Sequence, residues 1–230
     1  MAQETAPPEG WTFAAERPKA FVDAVVAIAL TLLILPLMES VGEVAGSGDT
    51  ALSWLDEHRG QLVSFVLSFV LIALFWMLHH RLFSNVHHIS PVLLWLLAAW
   101  MLTIVWLPVA TAIAGQMPDD DVLARMIYIG SLTMTALVSL VVRAYLHRHP
   151  SLHTISDRDS TRGFAVDASL VVLFLLALGL TVLMPQLGYY ALLITALSGV
   201  VQKLLLRIFG HADRSRERDP VQGRPGGSRP

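Results

Sequence analysis

Apolar residues in this chain fall in long unbroken blocks separated by short polar connections, not in the periodic stripes of a soluble amphipathic helix. A helix needs about 20 mostly apolar residues to cross the hydrocarbon core. Six windows qualify, at residues 20–38, 61–78, 91–113, 122–142, 164–184 and 190–209. Each is predicted to be helical, because in lipid every backbone N–H and C=O must be satisfied within its own segment. Local punctuation supports the boundaries. Ser90 then Pro91 reads as an N-cap and first helical position, Pro36 and Pro185 lie near span ends, and GQMPDDD from Gly115 to Asp121 is a polar turn. The third window is the longest and carries Pro108, which predicts a kink or an early end.

Composition points the same way. Of 230 residues 54% are hydrophobic and 15% charged, with a mean hydropathy of +0.59, whereas soluble domains are about 25% charged. The reading is an all-α polytopic membrane protein. The lack of cysteine excludes disulfides, thiolate metal sites and a cysteine nucleophile.

The distribution of charge sets the orientation. Of 16 Lys and Arg, only Arg59 and Arg125 fall in or border the connections after the first, third and fifth spans. The others lie at the N-terminus (Arg17, Lys19), in the second and fourth connections (Arg81, Arg143, Arg148, Arg158, Arg162) or from Lys203 onward. Both termini are therefore expected in the cytoplasm, which requires an even number of spans. The opposite connections are acidic (Glu39, Glu43, Asp49, Asp56, Glu57, Asp119, Asp120, Asp121). They read either as a negative outer mouth or as ordinary solvated loop charge. Three regions follow: a cytoplasmic tail at 1–19, a six-span domain at 20–209, and a cytoplasmic tail at 210–230 whose Arg, Gly, Pro and Ser predict disorder. The first 15 residues lack a basic n-region and are too polar for a signal peptide.

Ionisable groups inside spans are costly and so stand out as functional candidates. Asp23 lies about one turn into the first span and Asp167 at the start of the fifth. Asp23 reads either as part of a buried polar network that fixes the first helix or as an interfacial carboxylate reached by water; Lys19, four residues earlier, is its easiest local partner. The second span ends in FWMLHHRLFSNVHHI, which places His79, His80, His87 and His88 around Arg81. Neither an accompanying carboxylate nor an HExxH spacing suggests a metal. A hydrogen bond from His79 or His80 to a carboxylate or carbonyl is the alternative. On the first span Ala24, Ile28, Thr31, Leu35 and Met38 form one helical seam. It could face a symmetry axis, or it could be a packing or lipid face with Thr31 bonded back to carbonyl 27.

Arg17, Phe21 and Asp23, in RPKAFVDAVVAIALTLLILP, resemble the R-x-x-x-F-S-D signature that opens the first helix in the transmembrane protein 175 family of potassium channels. The paired histidines in FWMLHHRLF are similar to those of its bacterial members, whereas Val22 replaces the signature serine. The resemblance implies a single-repeat bacterial channel, a homotetramer in the cell membrane, the bacterial inner membrane, whose first helices line a potassium pore without a TVGYG filter. It further implies that Ile28 forms a hydrophobic constriction, that Thr31 supplies a selectivity layer, and that Leu32 and Leu35 narrow the pore. Arg17, Phe21, Asp23 and His79 or His80 would form a structural network. The expected partners are K+, the lipid bilayer and further copies of the chain, with no nucleic acid, metal or cofactor.

Rival readings are a proton-conducting channel, a cation secondary transporter and a membrane-embedded enzyme. No charged residue sits at mid-depth in a span, where a coupled transporter holds its substrate. The sequence likewise lacks paired catalytic carboxylates, a metal-ligand set and a Gly-rich phosphate loop.

Overall fold

The computed structural model describes residues 13–44, 50–118 and 120–183. Its elements, in chain order, are β1 (Phe13–Ala14), α1 (Glu16–Leu32), α2 (Leu35–Val44), α3 (Ala51–Glu57), α4 (Arg59–Phe83), β2 (His88–Ile89), α5 (Pro91–Gln116), α6 (Val122–Arg148) and α7 (Asp157–Leu183), with one 3-10 turn at Pro150–Leu152. Among the described residues five helical stretches are long and apolar enough to cross a membrane: Glu16–Val41, Arg59–Phe83, Pro91–Gln116, Val122–Arg148 and Arg158–Leu183. They match the first five predicted spans. The sixth, 190–209, and the tail at 210–230 lie outside the described residues. The chain is a multi-pass α-helical membrane protein.

The predicted stops act as expected in most places. Ser90 Oγ accepts from the Leu93 amide at 3.2 Å, with Pro91 as first residue of α5. Asp121 likewise caps α6 by accepting from the Ala124 amide at 3.0 Å. Three expectations need correction. The first span is not one continuous α-helix: Pro36 has no N–H to give the Leu32 carbonyl, and the ladder breaks at Leu33–Ile34 before α2 resumes. Pro108 neither ends nor interrupts α5, which runs through it to Gln116. Finally, α6 continues six residues beyond the predicted limit of 142, so Arg143 is helical and buried instead of lying in a connection.

Successive long helices pack as neighbours, α4 on α5, α5 on α6 and α6 on α7, while α1 lies across α4 and α5. The core holds Trp100, Tyr128, Phe174, Leu71, Ile72 and Ile104, all fully enclosed. In lipid the apolar effect does not drive helices together, so close packing and hydrogen bonds between small polar groups do more of the joining. Trp100 Nε1 donates to Ser139 Oγ at 2.9 Å, and Trp106 Nε1 to Ser131 Oγ at 3.0 Å. Ser68 Oγ on α4 lies 2.9 Å from Tyr128 Oη on α6 and 2.8 Å from Thr111 Oγ1 on α5.

At the end of the bundle that the basic connections place in the cytoplasm, a small backbone clasp joins three distant segments. Antiparallel β1 and β2 pair Phe13 with Ile89 and Ala14 with His88. The Ala15 amide donates to the His87 carbonyl at 3.1 Å, and the His87 amide donates to the Leu152 carbonyl at 3.0 Å. The clasp thus ties the foot of α1 to the second and fourth connections.

The three-helix hydroxyl cluster generates a test. Ser68→Ala and Tyr128→Phe should each destabilise the protein, and unfolding in detergent should give a coupling energy of about 0.6 kcal/mol for the pair, the average for such bonds in membrane proteins. Strict additivity would mean that the bond contributes nothing.

Candidate functional site

The first helix has two unlike faces. Val22, Val26, Ala29 and Leu33 are buried in the bundle core, and Leu37 is buried on the same side. The predicted seam lies on the opposite face and is exposed among the described residues: Ala24 and Thr31 are exposed, as are Ile28 (59%), Leu35 (46%) and Met38 (62%). Leu32, at 37%, flanks it. The Pro36 break does not rotate the seam out of line, since Leu35 and Met38 remain outward while Leu33 and Leu37 turn inward. Thr31 Oγ1 donates to the Ile28 carbonyl at 2.8 Å, three residues back, and not to carbonyl 27. Its hydroxyl proton is thereby committed within the helix, and the oxygen lone pairs are left facing outward.

Asp23 sits on the side of α1 that meets α4, where its Oδ1 accepts from Trp76 Nε1 at 2.8 Å. This corrects the expected pairing with Lys19, which bonds Glu16 at 3.2 Å. Three residues back is one helical turn on the exposed surface, whereas Asp23 is already engaged on the packed side. Asp23, Lys19, His79, His80 and Ser84 line one cavity of about 50 Å³ beside Val22 and Phe83. The anticipated carboxylate and histidines are thus brought together. Arg17 and Phe21 are not: both are exposed and face a different groove, against α5.

The two histidines differ. His79 is buried and stacked between Phe83 (4.4 Å) and Trp100 (4.1 Å), while His80 is exposed and lies against Trp76 at 5.5 Å. Trp76 therefore touches Asp23 through its N–H and His80 through its ring. Among the described residues the contacts of His79 are ring stacking on Phe83 and Trp100. His87 and His88 are exposed in the connection. Among the described residues no group of three or more His, Cys, Asp or Glu could hold a metal.

A second polar pair was only partly foreseen. Asp167, 3% exposed on α7, pairs with Arg143, 8% exposed on α6. Both line a small space beside His79 and Ser139. Gly163, one turn before Asp167, makes the pair sterically feasible, because a Cβ there would fall 2.0 Å from Arg143 Nη1. The usable sequence signal was the combination of a small residue and a carboxylate one turn apart on a span, opposite an arginine on the preceding helix. Arg125 is likewise buried, in the first turns of α6, although its position suggested a connection.

The family described as "Endosomal/lysosomal potassium channel TMEM175" matches residues 17–108. A potassium channel of Streptomyces collinus is 29% identical over 147 residues, or 62% of this chain and 68% of the relative. The solved structure of a lysosomal potassium-selective channel TMEM175 homologue from Chamaesiphon minutus superposes with a TM-score of 0.65 at 22% identity, covering 82% of this chain and 97% of that one. Over that region the chain is similar to the TMEM175 family, and it shares the fold of the Chamaesiphon minutus homologue. The zebrafish (Danio rerio) endosomal/lysosomal proton channel TMEM175 is 23% identical over 141 residues; this chain spans 26% of its length. The region matched to the TMEM175 family contains α1, α4 and most of α5, and so includes Arg17, Phe21, Asp23, His79 and His80. Arg143 and Asp167 lie outside it. Val22, in place of the signature serine, is 2% exposed and packs as an apolar core residue.

The buried pair gives a prediction. Asp167→Asn should lower stability by about 3–5 kcal/mol, since it strands a buried guanidinium. Adding Arg143→Met should recover much of that loss. Thermal unfolding of the single and double variants in detergent measures both, and a double variant no better than Asp167→Asn would remove the ion pair as the cause.

Proposed function

We propose that the protein is a potassium-selective cation channel of the cell membrane, in which several copies, four by analogy with the family, surround a pore lined by α1. The observation that carries this reading is the outward seam of Ala24, Ile28, Thr31, Leu35 and Met38 on a helix whose other face is fully packed. Names given to bacterial relatives, including the Streptomyces collinus potassium channel, supply the permeant ion. The mechanism is passive conduction, not enzymatic turnover.

Around an axis, the Ile28 side chains make a ring without ligands for a cation, so a narrow constriction there excludes ions by dewetting. Leu32 and Leu35 extend the apolar section. Thr31 adds oxygens just beyond it. Because each hydroxyl proton is directed to the Ile28 carbonyl, the ring presents acceptors that replace part of an ion's water shell. Potassium gives up water more easily than sodium and is favoured. Asp23, held by Trp76, fixes the angle of α1 against α4, and His79 and His80 border the same cavity at the cytoplasmic foot of the pore helix. The name of the zebrafish relative favours one second reading, proton passage along the same path.

Flux into liposomes under separately imposed potassium, sodium and proton gradients tests the proposal. Downhill uncoupled potassium flux is expected; strict dependence on a counter-ion would identify an exchanger. Ile28→Asn should raise the leak by wetting the ring, and unchanged flux in a folded variant would remove Ile28 from the gate. Thr31→Val should flatten the potassium preference while Thr31→Ser preserves it. An unaltered reversal potential in Thr31→Val would contradict the selectivity layer.

A further inference from the structure

In the fourth connection one histidine is engaged at both ring nitrogens. His153 Nε2 lies 3.0 Å from the Leu146 carbonyl, in the last turn of α6, and its Nδ1 lies 3.1 Å from the Ile155 amide nitrogen. A carbonyl can only accept and a backbone N–H can only donate, so Nε2 carries the proton and Nδ1 is bare. The neutral ring is the form that fits. An imidazolium keeps the bond to Leu146 but turns an N–H toward the N–H of Ile155, a half-buried residue packed against the core.

His153 also sits where the clasp is fastened. It forms an antiparallel bridge with Val86, flanked by the His87 amide donating to the Leu152 carbonyl at 3.0 Å and the Thr154 amide donating to the Asn85 carbonyl at 2.9 Å. The His87 carbonyl in turn accepts from the Ala15 amide at 3.1 Å. The segment from Leu152 to Ile155 therefore cannot turn to relieve an N–H against an N–H without pulling on the strand that holds the foot of α1.

The other charged and titratable groups on the surrounding segments are placed differently. At the end of α6, His147 Nδ1 meets Ser160 Oγ at 3.0 Å, His149 Nδ1 donates to the Tyr145 carbonyl at 2.8 Å, and Arg148 is exposed. In the second connection His87 Nε2 meets Thr154 Oγ1 at 3.2 Å, and His88 is exposed. The start of α7 carries Arg158 and Asp159, and the Asp159 carboxylate accepts from Ser156 Oγ at 2.7 Å. At the foot of α1, Lys19 pairs with Glu16. Hydroxyls and carbonyls accept from a charged ring as well as from a neutral one. Protonation is thus compatible with the contacts of His87, His147 and His149, but at His153 it breaks a bond.

We propose that His153 is a cytoplasmic pH sensor: as a neutral ring it holds the clasp closed on α1, and on gaining a proton it releases the Ile155 amide and loosens the clasp. The sign follows from the bond that is lost. The clasp is intact at high pH and weakens as pH falls through the range in which histidines gain charge, from about pH 8 to about pH 5. Acidification of the cytoplasm thereby frees the foot of α1. The inference does not require the outward seam of that helix to line a pore.

The test is hydrogen–deuterium exchange of the full-length protein in detergent, read on peptides covering residues 13–15 and 85–89 and corrected for the intrinsic pH dependence of amide exchange. Between about pH 8 and about pH 5, protection in wild type should fall about fivefold, the worth of one hydrogen bond. His153→Asn supplies an oxygen that accepts from the amide two residues on and does not titrate, so it should keep protection at both pH values. His153→Lys has no acceptor and should lose protection at both, whereas His87→Gln should retain the response of wild type. No fall in wild type, an equal fall in His153→Asn, or full protection in His153→Lys would overturn the proposal. One further measurement needs no altered fold. Ring-nitrogen NMR shifts of wild type labelled in histidine, taken at about pH 8, should show His153 protonated at Nε2 and bare at Nδ1, and a proton on Nδ1 there would refute the sensor.

Discussion

The seating of one face of α1 in the bundle is the constraint on which everything else depends. Val22, Val26, Ala29, Leu33 and Leu37 recur every three or four residues and are buried, which fixes the helix in rotation. Lipid gives little sideways apolar drive, so this seat relies on shape and on a few polar contacts, of which Trp76 to Asp23 at 2.8 Å is the clearest. Once the rotation is fixed, the outward identity of Ile28 and Thr31 follows geometrically. Sliding the helix by one residue would carry them about 100° round and put other side chains in their place.

Much of this was legible in the sequence because the bilayer restricts the options so strongly. Block length alone located five described spans, and Ser90–Pro91 marked the start of α5 to the residue. The outward seam was readable too, since a spacing of three and four selects one side of a helix whatever that side faces. What could not be read was which neighbour each polar group meets. Asp23 had a plausible cation four residues away, yet its partner is a tryptophan on another helix. Arg143 looked like a positive-inside marker for a connection, but α6 does not stop where its apolar block thins, and the charge is carried inside to meet Asp167. Hydropathy measures the preference of a residue for lipid and contains no term for a counter-charge on the next helix.

The two polar centres sit close to one another through His79. That ring borders the cavity beside Asp23 on one side and the space beside Arg143 and Asp167 on the other, and it is clamped by Phe83 and Trp100. The cytoplasmic half of the protomer is therefore a polar layer that links α1, α4, α6 and α7. In the outer half, neutral hydroxyls such as Ser68, Thr111 and Tyr128 join α4, α5 and α6.

The clasp at the foot of α1 has a consequence for biogenesis. Ala15 is tied to His87, and His87 in turn to Leu152, so the foot of α1 waits for a segment synthesised well after it before its backbone bonds are complete. During synthesis, which proceeds from the N-terminus, α1 can enter the bilayer long before its foot is fastened. Its final docking is a late event that coincides with arrival of the fourth connection, and until then the helix is inserted but not yet locked.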